Sequence, residues 1–250
     1  PSSPRPLVEM TVVDRDNGDC LPQYRHRGDT WIAGMPGHRY AVRLTNTTGR
    51  RVLVVLSVDG VNAVTGQTAS ASQGGYVLDP WETTEINGWR KSLGDVAQFV
   101  FTDLGDSYAA RTGRPRNVGV IGIAVFEEAR PRYVPYASPA PIGRDDNGYS
   151  RAEEKAAAPA AAESRAADAS RQNIGTGHGA REWSPVGETD FERASRSPAQ
   201  VTQVRYDEER RLAALGVLPR PYWRSRDDSP RAFPHGFVAH PPGWGCGLPP

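Results

Sequence analysis

Tyr40, Val42 and Leu44 alternate with Ala41, Arg43 and Thr45, the period of two that turns one face of a strand to a core and the other to water. Residues 52–56 (VLVVL) are apolar at every position, which predicts a central strand covered on both faces. Asp59-Gly60 behind them reads as a tight turn. Further β-rich runs flank this pair: residues 7–13, 61–64, 76–78, an edge-like run at 82–86, a strand on which Phe99 and Phe101 share a face, and residues 118–126. Eight or so short strands without a long amphipathic helix predict a mainly β fold. It should be an antiparallel β-sandwich, jelly-roll or immunoglobulin-like, over residues 1–128, with a closed barrel as the alternative. Val52, Val54, Leu56, Phe99, Phe101, Val120, Ile121 and Ile123 occupy the densest runs and are the expected core.

Beyond residue 128 the pattern changes. Residues 1–128 hold 20 of the valines and isoleucines and residues 129–250 only 8, whereas proline goes from 7 to 15, so the core belongs to the first half. Pro131, Pro135, Pro139 and Pro141 followed by an alanine-rich stretch with no apolar stripe make residues 129–174 a linker. Residues 175–220 read as a small unit: a hairpin from 189–193 and 201–206, then Asp207 as N-cap, a helix over 208–215 and Gly216 as its stop. Such a unit is too small to hold a core. Val201, Val204, Leu212, Leu215 and Leu218 must therefore dock on the sandwich or on a neighbouring chain. Residues 221–250 form an extended Pro/aromatic tail whose Trp223, Phe233, Phe237 and Trp244 need a receiving surface.

Charge narrows the partners. Thirty basic and 29 acidic side chains leave a formal net charge of +1, too little to recruit nucleic acid, and no apolar run approaches the roughly 20 residues of a membrane-spanning helix. The start at Pro1 fits a processed N-terminus and fits a trimmed chain as well. Cys20 and Cys246, the two cysteines, form one bridge in an oxidising compartment or stand as separate thiols.

Four segments carry a family likeness: LVVLSVDGVNAVTG at 53–66, FTDLGDSYAARTGRPRNVGVIGIAVFE at 101–127, GTGHGARE at 175–182, and the unit from Arg205-Tyr206-Asp207 to Pro219. The chain resembles a family of uncharacterised exported proteobacterial proteins. That resemblance implies export to the periplasm, cell surface or medium, and it carries over no catalytic residue.

Candidate chemistry is sparse. His26, His38, His178, His235 and His240 lack metal-ligand spacing, and His178 within Gly175, Gly177 and Gly179 reads as a turn residue. No metal, cofactor or catalytic residue is assigned. The richest polar element is the loop at 102–117, where Asp103, Asp106, Ser107, Tyr108 and Arg111 are candidate ligand contacts, against a reading of that loop as an internally bonded support. Trp81, Trp89 and Arg90 suggest a cation-π cluster. Arg27-Gly28-Asp29 matches an adhesion tripeptide and Asn46-Thr47-Thr48 a glycosylation acceptor. Together these readings predict a non-enzymatic structural subunit of a homomeric or other protein assembly, held by its C-terminal arm. The alternatives are a carbohydrate or surface-ligand binding module using residues 102–117, and a hydrolase with an unrecognised site.

Overall fold

The computed structural model describes residues 5–130 and 172–218. Two sheets face each other. In the first, β1 (Val8–Asp14), β4 (Arg39–Asn46), β10 (Asp95–Asp103) and β12 (Ile174–Trp183) lie in that order, with β8 (Thr83–Ile86) also on β4 and β9 (Gly88–Arg90) also on β10. The second runs β2 (Tyr24–His26), β3 (Asp29–Gly34), β13 (Gln200–Glu208), β11 (Val120–Glu127), β5 (Val52–Val58) and β6 (Val61–Asn62), with β7 (Tyr76–Leu78) paired to the first half of β5 on the same edge as β6. Two short α-helices, α1 (Tyr108–Arg111) and α2 (Glu209–Ala214), and two 3₁₀ turns, Leu104–Asp106 and Pro115–Asn117, complete the described elements.

The β-sandwich expected from the alternation is present. Val42, Leu44, Phe99 and Phe101 from the first sheet meet Val54, Leu56, Ile121 and Ile123 from the second in one buried cluster, the dry interior of a two-sheet sandwich. β5 is covered on both faces: Leu53 and Val55 form a second cluster with Phe126, packed by Ala71, Val77 and Phe191. The Arg193 guanidinium lies 4.0 Å from the Phe126 ring centroid. Of the expected core, Val120 is only half-buried, because it alternates outward from Ile121.

Three sequence expectations are corrected. The sheets are not wholly antiparallel, since β13 runs parallel to β3, pairing Arg205 with Trp31 and Tyr206 with Ile32. The sandwich does not end at residue 128 either: residues 175–220 are not a docked hairpin-helix unit, because β12 belongs to one sheet and β13 to the other. Residues 189–193 form no strand, and only Arg193 makes an isolated bridge, to Glu128. Pattern reading misses β12 because its sequence, IGTGHGAREW, offers few apolar side chains. Its glycines answer a packing need. A Cβ on Gly175 would stand 2.5 Å from Ser107 Cβ and from Val118 Cγ1, and one on Gly179 would stand 2.7 Å from Val100 Cγ2.

Leu212, Val217 and Leu218 bury against Tyr24, Trp31 and Ala33, so α2 docks within its own chain. Gly216, at φ +73, ends that helix as expected. Glu208 rather than Asp207 holds the N-cap position; the Asp207 carboxylate accepts the amides of Glu208 and Asn173.

Smaller motifs find structural explanations. Arg27 and Gly28, at φ 51 and 89, are the two left-handed residues of the tight turn joining β2 to β3. Asn46 is fully buried, its amide donating to the carbonyls of Arg50 and Asp79, which closes the acceptor motif to modification in the folded chain. Trp81, Trp89 and Arg90 do not cluster. Trp81 is exposed, Trp89 packs edge-on against Phe99, and Arg90 lies over Tyr76. Cys20 is disulfide-bonded. Cys246, the anchors Trp223, Phe233, Phe237 and Trp244, and residues 131–171 of the linker lie outside the described residues, of which no helix is long and apolar enough to cross a membrane.

Candidate ligand groove

The loop that leaves β10 turns through a 3₁₀ segment, Leu104–Asp106, before α1 begins. Ser107 starts α1 for a physical reason. Its hydroxyl accepts the amide of Ala110 at 3.2 Å and donates to the Leu104 carbonyl at 2.8 Å, satisfying one of the donors that a helix start leaves free. Ser107 is fully buried and packs on Gly175, so it supports α1 and offers no atom to a ligand. We expect Ser107→Ala to lower stability by about 1 kcal/mol, read from urea unfolding. An unchanged midpoint would show that the cap is idle.

β12 comes to this loop because a buried polar network fixes it. Asp59 follows β5 in a left-handed conformation, φ 53, as does Gly60, φ 74, and this two-residue turn aims the carboxylate inward. One carboxylate oxygen accepts the Tyr206 hydroxyl at 2.7 Å and the Gly119 amide at 2.8 Å; the other accepts the Thr176 amide at 2.7 Å. Thr176 Oγ1 lies 2.6 Å from the hydroxyls of both Tyr206 and Tyr40. With Asp59 ionised, one proton direction serves the whole chain: Tyr40 donates to Thr176, Thr176 to Tyr206, and Tyr206 to Asp59. Burial outweighs these donors and pushes the Asp59 carboxyl up to about 6. Burial likewise raises the Tyr40 and Tyr206 phenols well above their ordinary value.

The network ties both sheets to β12 two residues before His178. A groove of about 400 Å³ opens there, lined by Asp106, Tyr108, Arg111, Thr112 and His178. Of the five predicted contacts, Asp106, Tyr108 and Arg111 therefore meet. Asp103 and Ser107 are not among its described lining residues. His178 is on a strand, not in the turn expected of it, and its ring lies 5.7 Å from that of Tyr108. Burial, and then the charge of Lys91, hold its imidazole below the usual histidine range. Among the described residues the Asp106 carboxylate and the Arg111 guanidinium make no hydrogen bond or ion pair. Both are available to a ligand.

Metal chemistry has a weaker candidate elsewhere. The β1–β4 register sets Asp14 opposite Tyr40 and gathers Asp14, Asp16 and His38 with donor atoms within 4.8 Å of one another, a grouping that linear spacing does not show. Each is already engaged. His38 Nδ1 lies 2.7 Å from Asp14 Oδ2, and Asp16 accepts the backbone amide and guanidinium of Arg39, which holds its carboxyl below the usual range. The group reads as an ion-pair and hydrogen-bond set.

Fold and groove together define a β-sandwich protein with a small polar surface groove at the end where β12 meets α1. Compared with protein families, with curated proteins and with solved structures, the chain has no match.

Proposed function

We propose that this chain is a non-enzymatic binding module that takes a small, hydroxyl-rich polar ligand, such as a saccharide unit, in the groove between α1 and β12. The convergence of Asp106 and Arg111, neither committed to a partner, with Tyr108, Thr112 and His178 on one concave surface carries this reading. A carboxylate accepts from ligand hydroxyls, a guanidinium donates in a fixed fork, and the rings wall the site. Binding is favoured over turnover because the buried hydroxyl beside the groove, Ser107, is held in a cap. The disulfide at Cys20 supports an oxidising compartment and so an exported protein.

The structural-subunit reading rests on the apolar residues at 201–218 and on the anchors Trp223, Phe233, Phe237 and Trp244, which lie outside the described residues. Val204, Leu212, Val217 and Leu218 are buried within the chain, whereas Val201 is 70% exposed, so most of that apolar surface is covered in cis. A panel of immobilised glycans tests the binding reading. The wild-type chain is expected to bind a subset, and a Tyr108→Ala, Asp106→Ala double variant to lose at least about tenfold in affinity while melting cooperatively. No binding across the panel, or equal binding by the variant, would defeat it.

A further inference from the structure

Resting on the groove as a ligand site, we infer that its ligand is an acidic saccharide, with a carboxylate on Arg111 and neighbouring hydroxyls on Asp106. The described lining of the groove presents no open aromatic face. Neutral sugars are held largely by stacking a pyranose face on an open aromatic ring, and the Tyr108 ring is already crowded. Trp89 packs at 5.1 Å and His178 at 5.7 Å between ring centroids, and the Arg114 guanidinium lies 5.9 Å over it. The exposed tryptophans Trp81 and Trp183 do not line the groove. Affinity there must come from charge and hydrogen bonds.

The lining carries one charge of each sign. Arg111 lines the groove unpaired. Arg114 is held beside it, Nε donating to Thr112 Oγ1 at 3.3 Å. Lys91 stands close enough to His178 to disfavour its protonation. Arg111 is the one cation and Asp106 the one acid among the described lining residues, with Arg114 flanking them, so the groove has a cationic end and an acidic end that a net charge of +1 conceals. A bare inorganic anion would leave Asp106 facing negative charge. A ligand carrying an anionic group on one side and hydroxyl donors on the other satisfies both ends, and a uronate has that layout. Its carboxylate fits the guanidinium fork through two parallel N–H···O bonds, and its ring hydroxyls donate to Asp106. His178 stands in the groove wall with its imidazole held toward the neutral form chiefly by burial.

Calorimetric titration of the full chain at low ionic strength with three probes tests this: a galacturonate trisaccharide, the neutral galactose trisaccharide, and sodium sulfate. The acidic trisaccharide is expected to bind at least about tenfold more tightly than the neutral one, with a preference that fades as salt is raised, and sulfate to bind more weakly than either. Arg111→Gln should abolish the preference and leave residual binding of both sugars. Asp106→Asn should weaken both sugars and strengthen sulfate. Equal affinity for acidic and neutral probes, an Arg111→Gln variant that keeps the preference, or sulfate matching the uronate would overturn the acidic-ligand inference while leaving a polar binding site in place. Failure of both sugars to bind, joined with the absence of hits on the glycan panel, would overturn the binding reading itself and this inference with it.

Discussion

Replacing Asp59 by alanine is expected to cost about 3–5 kcal/mol, since the carboxylate is the shared acceptor of three donors that have no water to turn to. The Tyr206 hydroxyl and the amides of Gly119 and Thr176 would be left unpaired in the interior, and the joint between β5, β11, β12 and β13 would loosen where those strands converge. Urea unfolding at neutral pH measures the loss. A cost below about 1 kcal/mol, the range of an ordinary substitution, would show that water reaches the network and replaces the carboxylate.

The same residue sets a pH dependence whose sign is opposite to that of an ordinary salt-bridged acid. Its folded carboxyl, raised to about 6 by burial, lies above the roughly 3.9 of an unfolded aspartate. The stabilisation linked to its proton is therefore fully present below about pH 4 and is lost as pH rises through about 6. A gap of about two pH units corresponds to about 3 kcal/mol. Asp16, Glu128 and Glu182, held low chiefly by Arg39, Arg51 and Arg15, contribute the reverse slope, since their stabilisation is lost as pH falls. The measured quantity is thus the difference between wild type and Asp59→Asn. The wild-type advantage should shrink steadily from about pH 4 to about pH 7. Parallel pH curves for the two proteins would mean that Asp59 titrates as it does in the unfolded chain.

Phe101→Ala should be comparably damaging, at about 3–5 kcal/mol. Phe101 is fully buried, stacks on Tyr40 at 4.2 Å and leans on Tyr206 at 5.4 Å. Its ring also fills the space beside Gly34, where a Cβ would come within 2.8 Å of it. Truncation leaves a cavity between the two tyrosines whose hydroxyls flank Thr176, so a second effect is expected: β12 should exchange its amide hydrogens faster than β1 does. Uniform exchange in both strands, or a loss near 0.5 kcal/mol, would show that the sandwich interior does not depend on this ring.

Alternation in β4 and the unbroken apolar run of β5 are local, and they determined by themselves that the chain is a sandwich and which face of each strand is dry. The Asp59-Gly60 turn and the Gly216 helix stop were equally legible, because φ > 0 is a property of the residue as much as of its surroundings. The groove was half legible: a loop dense in Asp, Tyr and Arg between two core strands announces a polar surface, and Asp106, Tyr108 and Arg111 came from it. His178 could not be placed there. It stands on a glycine-rich strand with no hydrophobic period, held by a carboxylate 117 residues earlier in the chain. Asp59 was visible as a turn residue and invisible as an anchor, since nothing local says that its carboxylate faces inward. Likewise only the β1–β4 register brings His38 to Asp14. Backbone conformation and the dry face of a strand depend on neighbours in sequence, whereas the cis docking of α2, the parallel β3–β13 pair and the walls of the groove depend on contacts between distant segments, and those exist only once the two sheets have closed.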